Sequence, residues 1–166
     1  MKQFKLSLAI AALTAAGFAG SAAAATATDQ FEVRITINET CNVLTATDIL
    51  FDPATPTAGT VDKTGTISVQ CTNGTDYTLE LDGGDAGDTA ARRMTRDGGS
   101  ETIAYQLYQP GGFTTVWGSG GQAVTGIGAG LGGAYQVDHT VNARATLVGN
   151  EPAGSYADDV TVTLTF

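Results

Sequence analysis

The sequence predicts an all-β domain, an antiparallel sandwich or barrel, from three observations. Apolar and polar residues alternate through several short runs, the period of a strand with one buried face. Glycine clusters separate those runs and mark turns. Beyond the first 25 residues no window combines apolar residues at helical spacing with helix caps, so helix is expected to be scarce. Many short strands joined by glycine-marked turns define a sandwich or barrel rather than an α/β fold.

The elements follow in chain order. Met1-Lys2-Gln3-Phe4-Lys5 is a short cationic start, an apolar run rich in Ala and Leu follows to Ala19, and small residues come next. This is a signal peptide over residues 1–25, cleaved near Ala23 to Ala25; the run is shorter than the roughly 20 residues a spanning helix needs. No other stretch is long and apolar enough to span a bilayer as a helix. The first alternating run is Phe31-Glu32-Val33-Arg34-Ile35-Thr36-Ile37, a strand with one apolar face. Further strands are expected at residues 66–71, 77–81, 103–108, 137–148 and 160–166. The glycine-rich breaks at residues 82–85, 97–99, 110–112 and 118–133 read as turns and loops.

With the signal removed, about 140 residues remain, the size of one domain with one core. Six basic residues then face seventeen acidic ones, a net charge of about −11. A chain so acidic is a poor partner for nucleic acid. The two cysteines, Cys41 and Cys71, both lie in the exported part and are expected to pair with each other, because oxidation is the default outside the cytoplasm.

Site motifs are few. Gly128-Ala129-Gly130-Leu131-Gly132-Gly133 matches G-x-G-x-x-G, but a strand-like run follows where a phosphate site needs a helix N-terminus. Asp82, Asp85 and Asp88 recur every third residue, which is wrong for an EF-hand, and read as a solvated acidic loop that Arg92 and Arg93 neutralise. Asn38-Glu39-Thr40 and Asn73-Gly74-Thr75 are short glycosylation matches of low specificity. His139 is the single histidine, no thiol is free after pairing, and there is no G-x-S-x-G. No catalytic residue, metal ligand or cofactor is therefore assigned.

The ends of the chain are the informative feature. The last run places Val160, Val162, Leu164 and Phe166 on one face of a strand that ends the sequence, and the apolar run at 31–37 stands just behind the cleavage site. An uncovered apolar strand edge is a template for strand addition. Either the two ends pair within one molecule, or the strand of one copy enters the groove of the next, a head-to-tail contact that generates a filament. From pattern alone the two readings stand level.

Arg92-Arg93-Met94, Ile103-Ala104-Tyr105-Gln106-Leu107-Tyr108, Val116-Trp117-Gly118-Ser119-Gly120 and the final Gly154-Ser155-Tyr156-Ala157-Asp158-Asp159-Val160-Thr161-Val162-Thr163-Leu164-Thr165-Phe166 resemble, in order and spacing, the spore coat protein U family. This family includes major subunits of archaic, Csu-type chaperone–usher pili. The resemblance implies an incomplete immunoglobulin-like antiparallel β-sandwich that lacks its last strand and is completed by donor-strand exchange. It divides the chain into a signal peptide (1–25), a donor segment (26–38) and a sandwich domain (39–166).

The partners it implies are a periplasmic chaperone, an outer-membrane usher and other copies of the chain or related subunits. The chain would pass through the periplasm to the cell surface, as pilus or spore coat, and support attachment or biofilm formation. Phe31, Val33, Ile35 and Ile37 are the implied donor side chains. Val160, Val162, Leu164 and Phe166 line the groove that a chaperone strand and then a donor strand would occupy, with basic chaperone residues on the terminal carboxylate. Only about fifteen residues separate cleavage from Cys41, so donor and first domain strand compete for one segment. The alternative is a secreted monomeric sandwich that binds carbohydrate through Trp117, Tyr105 and Tyr108.

Overall fold

The computed structural model describes residues 24–166 apart from Pro53 and Pro56, so the expected signal peptide lies outside the described residues except at its last two positions. The chain divides between Ile35 and Thr36. The second unit holds nine strands among the described residues: β1 (Cys41–Ala46), β2 (Gly59–Cys71), β3 (Asp76–Leu81), β4 (Arg93–Arg96), β5 (Thr102–Tyr108), β6 (Val124–Ile127), β7 (Val137–Leu147), β8 (Tyr156–Ala157) and β9 (Val162–Thr165). The regular helical structure described is three single-turn 3-10 segments, Gly84–Ala86, Gly120–Gln122 and Gly133–Tyr135.

Every strand pair is antiparallel. One sheet runs β1-β2-β7-β5-β4-β8 and the other β6-β3-β9. The long β2–β7 ladder extends from Gly59 opposite Leu147 to Val69 opposite Val137 and forms the spine of the larger sheet. The alternation read from the sequence is the alternation that builds the core. Ile67, Val69 and Cys71 of β2, Tyr77, Leu79 and Leu81 of β3, Tyr105 and Leu107 of β5, and Val141, Ala143 and Ala145 of β7 are buried in one cluster between the sheets. Trp117 completes it with no exposed surface, its indole N–H donating to the Leu79 carbonyl at 3.0 Å. A buried indole satisfied in this way contributes its full apolar area without an orphaned donor.

Several expected boundaries shift. β2 begins seven residues earlier than the alternation indicated, because its first half pairs with β7 while carrying Asp62, Lys63 and two glycines. β9 is confined to Val162–Thr165, since Asp158 to Thr161 cross from one sheet to the other. Residues 31–37 form no strand within the chain. The 118–133 stretch is not a continuous loop but contains β6. Its G-x-G-x-x-G motif serves close backbone contact: a Cβ on Gly128 would stand 2.2 Å from the Thr72 carbonyl oxygen. The segment is held there by backbone bonds from Gly128 to Thr75, Gly74 to Gly128 and Gly130 to Cys71.

Candidate strand-acceptor groove

The two sheets are unequal, six strands against three, so the smaller sheet cannot cover the inner face of the larger one. β9 is an outer strand of the small sheet, bonded to β3 on one side only. β1 is an outer strand of the large sheet, and it lies beside β9 without a shared ladder. The interior opens near the end of β1 and the start of β9, where Ala46 and Val162 line one cavity.

Two adjoining cavities mark the opening. One, of about 420 Å³, is lined by Ile67, Leu81, Tyr105, Leu107, Val160 and Val162 among others. The second, of about 530 Å³, reaches Val61, Met94, Ile103, Ala145 and Leu147. Ile49, Leu50 and Phe51, from the irregular connection between β1 and β2, border both. Ile49 and Phe51 are half-buried against the core, whereas Leu50 is 72 % exposed. Val160, Val162 and Leu164 pack on the core from the β9 side, and Phe166 remains 56 % exposed. An apolar opening beside the unpaired edge of β9 is the geometry that accepts an extended strand.

Phe31, Val33, Ile35 and Ile37 are exposed to 88, 84, 83 and 71 %. Behind them Asn38 and Thr40 are tied to Thr72: the Thr40 N–H donates to Thr72 Oγ1 at 3.0 Å, the Thr72 N–H to the Thr40 carbonyl at 2.9 Å, and the Thr72 hydroxyl reaches the Asn38 carbonyl. β1 starts immediately after, at Cys41, which is bonded to Cys71. Residues 31–37 and β1 are successive segments of the chain.

The other residues singled out in the sequence have structural surroundings. The Asp82 carboxylate accepts from the N–H groups of Gly84 and Thr161, which hold its pKa below the usual carboxylate value against the opposing effect of burial. Asp88 accepts from the Ala90 N–H, a turn of its own. Arg92 acts on Asp82 of this loop from the interior rather than from solvent: it is 1 % exposed, and its charge helps lower the Asp82 pKa. His139 lies on β7, 2.8 Å from the Tyr77 hydroxyl and edge-on to Tyr77 and Trp117, and burial lowers its pKa. Tyr105 is 8 % exposed and Trp117 fully buried, while Tyr108 packs edge-on against Phe113, so the three aromatics named for carbohydrate do not form an exposed platform. Ile49, Leu50, Phe51, Met94 and Tyr156 of the groove were not anticipated; the signal that could have found the first three is the unbroken apolar run between Asp48 and Asp52.

Residues 27–163 match the Spore Coat Protein U domain, and the chain belongs to that family. Its fold is similar to that of a chain in the crystal structure of the CsuC–CsuE chaperone–tip adhesion subunit pre-assembly complex, from archaic chaperone–usher Csu pili of Acinetobacter baumannii. There the TM-score is 0.60 at 23 % identity over 79 % of this chain and 41 % of that one. A chain in a chaperone–tip adhesin complex of CFA/I fimbriae is similar with a TM-score of 0.50 and 18 % identity, over 77 % of this chain and 41 % of that one. The protein therefore spans about two fifths of the length of these solved chains. No curated protein is significantly similar to it. The architecture is an immunoglobulin-like antiparallel sandwich of the kind found in these pilus complexes.

Proposed function

We propose that the protein is a structural subunit of a chaperone–usher fibre, exported through the periplasm and polymerised at the cell surface by donor-strand exchange. The observation that carries this reading is the coexistence in one chain of an exposed, strictly alternating apolar segment and an open apolar groove beside the unpaired edge of β9. Residues 26–38 are the donor, with Phe31, Val33, Ile35 and Ile37 entering the groove of the next copy beside Val160, Val162, Leu164 and Phe166. Before assembly a periplasmic chaperone fills the groove, and an outer-membrane usher receives the complex, as the family and the complexes of the similar chains support. Attachment and biofilm formation are the roles such a fibre serves.

The energetics are adequate. Burying four such side chains contributes about 6 to 12 kcal/mol before ordering costs, at about 1.5 to 3 kcal/mol each, and backbone pairing along β9 adds to it. Such a polymer comes apart only by pulling a strand out of a core, which makes it kinetically stable. Protein produced with its chaperone and usher is therefore expected to run as a ladder on an SDS gel without heating and to collapse to one band after boiling. A single monomer band in both lanes, with export and disulfide verified, would contradict the proposal.

A further inference from the structure

The sequence segments that carry the family resemblance converge on one polar network at the entrance to β9, built around the buried Arg92 and Tyr105. Arg92 is 1 % exposed, makes no ion pair among the described residues, and is attracted through space by the Asp82 and Asp158 carboxylates. Its Nε and Nη2 donate to the Asp82 carbonyl at 2.9 and 2.5 Å, Nη2 also to the carbonyls of Trp117 at 2.9 Å and Leu81 at 3.2 Å, and Nη1 to Gln106 Oε1 at 2.6 Å. The guanidinium thus ties the end of β3 to the Trp117 segment and to β5. Asp82 continues the network: its Oδ1 accepts from the Thr161 N–H at 2.9 Å and its N–H donates to the Thr161 carbonyl at 3.1 Å. Asp158 pins the other end of the crossover, with Oδ2 accepting from the Tyr105 hydroxyl at 2.6 Å and Oδ1 from the Asp85 N–H at 2.7 Å.

Local backbone is shaped around these bonds. Gly84 adopts φ +62°, and a Cβ there would stand 2.1 Å from the Asp158 carboxylate, so the residue must be glycine for steric and conformational reasons together. The Asp82-Gly83-Gly84-Asp85 loop is a seat for Asp158.

Residues 158–161 belong to no strand, although β9 depends on them for its placement. Val160 lies within this stretch and lines the groove together with Tyr105 and Asp158. A buried cation with no direct carboxylate partner is expensive, and apolar residues would fill the same space more cheaply if packing were all that mattered.

We infer that Arg92, Asp82, Tyr105 and Asp158 form a latch that fixes the crossover into β9 while the groove is vacant, so that the open edge is preorganised for the incoming strand. This rests on the donor-strand reading above and adds to it the positioning residues of the acceptor. Preorganisation lowers the ordering cost of binding, and the latch bonds are already made before the strand arrives, so their loss slows entry rather than hastening release.

The test uses the full exported chain carrying Val33→Asp to prevent self-assembly, alone and with Tyr105→Phe or Asp158→Asn, and a synthetic peptide of residues 26–38 as probe. Each latch variant is expected to speed hydrogen exchange at the Thr161 and Asp85 amides at least tenfold without peptide. Peptide uptake is expected to slow about tenfold while peptide dissociation stays unchanged. Tyr105→Phe keeps the ring in the core, so the comparison holds even where Asp158→Asn folds poorly. Unchanged exchange and uptake in a folded latch variant would overturn the latch alone. Faster dissociation with normal uptake would overturn it too, by showing a merely stabilising role. Failure of the parent to take up the peptide, with Thr161 protected, would overturn the donor-strand reading and the latch's purpose with it.

Discussion

Replacing Val33 or Ile35 by aspartate is expected to abolish fibre assembly while the chaperone-bound subunit accumulates normally. Both side chains are more than four fifths exposed in the single chain, so the change does not touch the core of the subunit that carries it. On the donor-strand proposal the same position lies inside a neighbour's apolar groove in the fibre. Each substitution removes about 1.5 to 3 kcal/mol of burial and adds the cost of a carboxylate without a partner. A combined loss of about 4 kcal/mol already lowers the equilibrium about a thousandfold, against a gross gain of about 6 to 12 kcal/mol from all four side chains. Thr36→Asp, on the opposite face of the same strand, is the control expected to assemble. Fibre mass recovered by shearing cells and pelleting reads the result, and normal yield from both Val33→Asp and Ile35→Asp would contradict the donor assignment.

The second large effect belongs to the disulfide. Cys41 and Cys71 sit opposite each other at the end of the β1–β2 ladder, 30 residues apart in sequence. Closing a loop of that length stabilises the fold by about 3 to 4 kcal/mol on the chain-entropy account, much of the roughly 5 to 15 kcal/mol available to a domain. β1 is also a poor strand by itself: only Cys41 is buried, and its register slips between Val43 and Thr45. Replacing both cysteines by serine is therefore expected to detach β1 first, loosening the edge of the larger sheet beside β9. The expected outcome is a loss of about 3 to 4 kcal/mol in urea denaturation and a failure to yield assembly-competent subunit. An unchanged denaturation midpoint would show that the β1 ladder holds without its covalent tie.

Much of the sandwich was legible because antiparallel strands with one dry face write their geometry as alternation. The cores of β2, β3, β5, β7 and β9 were read this way, and the pairing of the two cysteines from their number and their oxidising compartment. Edge elements were not. In β1 the bulge and the exposure of five of its six residues erase the period, β4 and β6 have four residues each, and β8 has two. Their existence follows from the neighbours they pair with, which no local pattern contains.

Residues 31–37 teach the converse lesson. Their alternation is the cleanest in the chain, yet they make no strand within it. Alternation records a demand for a dry face and a paired edge, and the partner that meets the demand can be another molecule. Arg92 failed for a different reason. An arginine pair beside an acidic loop reads as surface charge, and only the convergence of Leu81, Asp82, Gln106 and Trp117 around Arg92 reveals a buried cation.

The central claim is that the 31–37 segment of one copy lies beside β9 of another. Single cysteines introduced at Val33 and, in turn, at Val160, Val162 or Leu164 test this directly when the doubly substituted chain is assembled with its chaperone and usher and then oxidised. The account predicts covalent oligomers that survive boiling and vanish on reduction, strongest for one of these three positions. Monomers only, from all three pairs in assembled material, would contradict it.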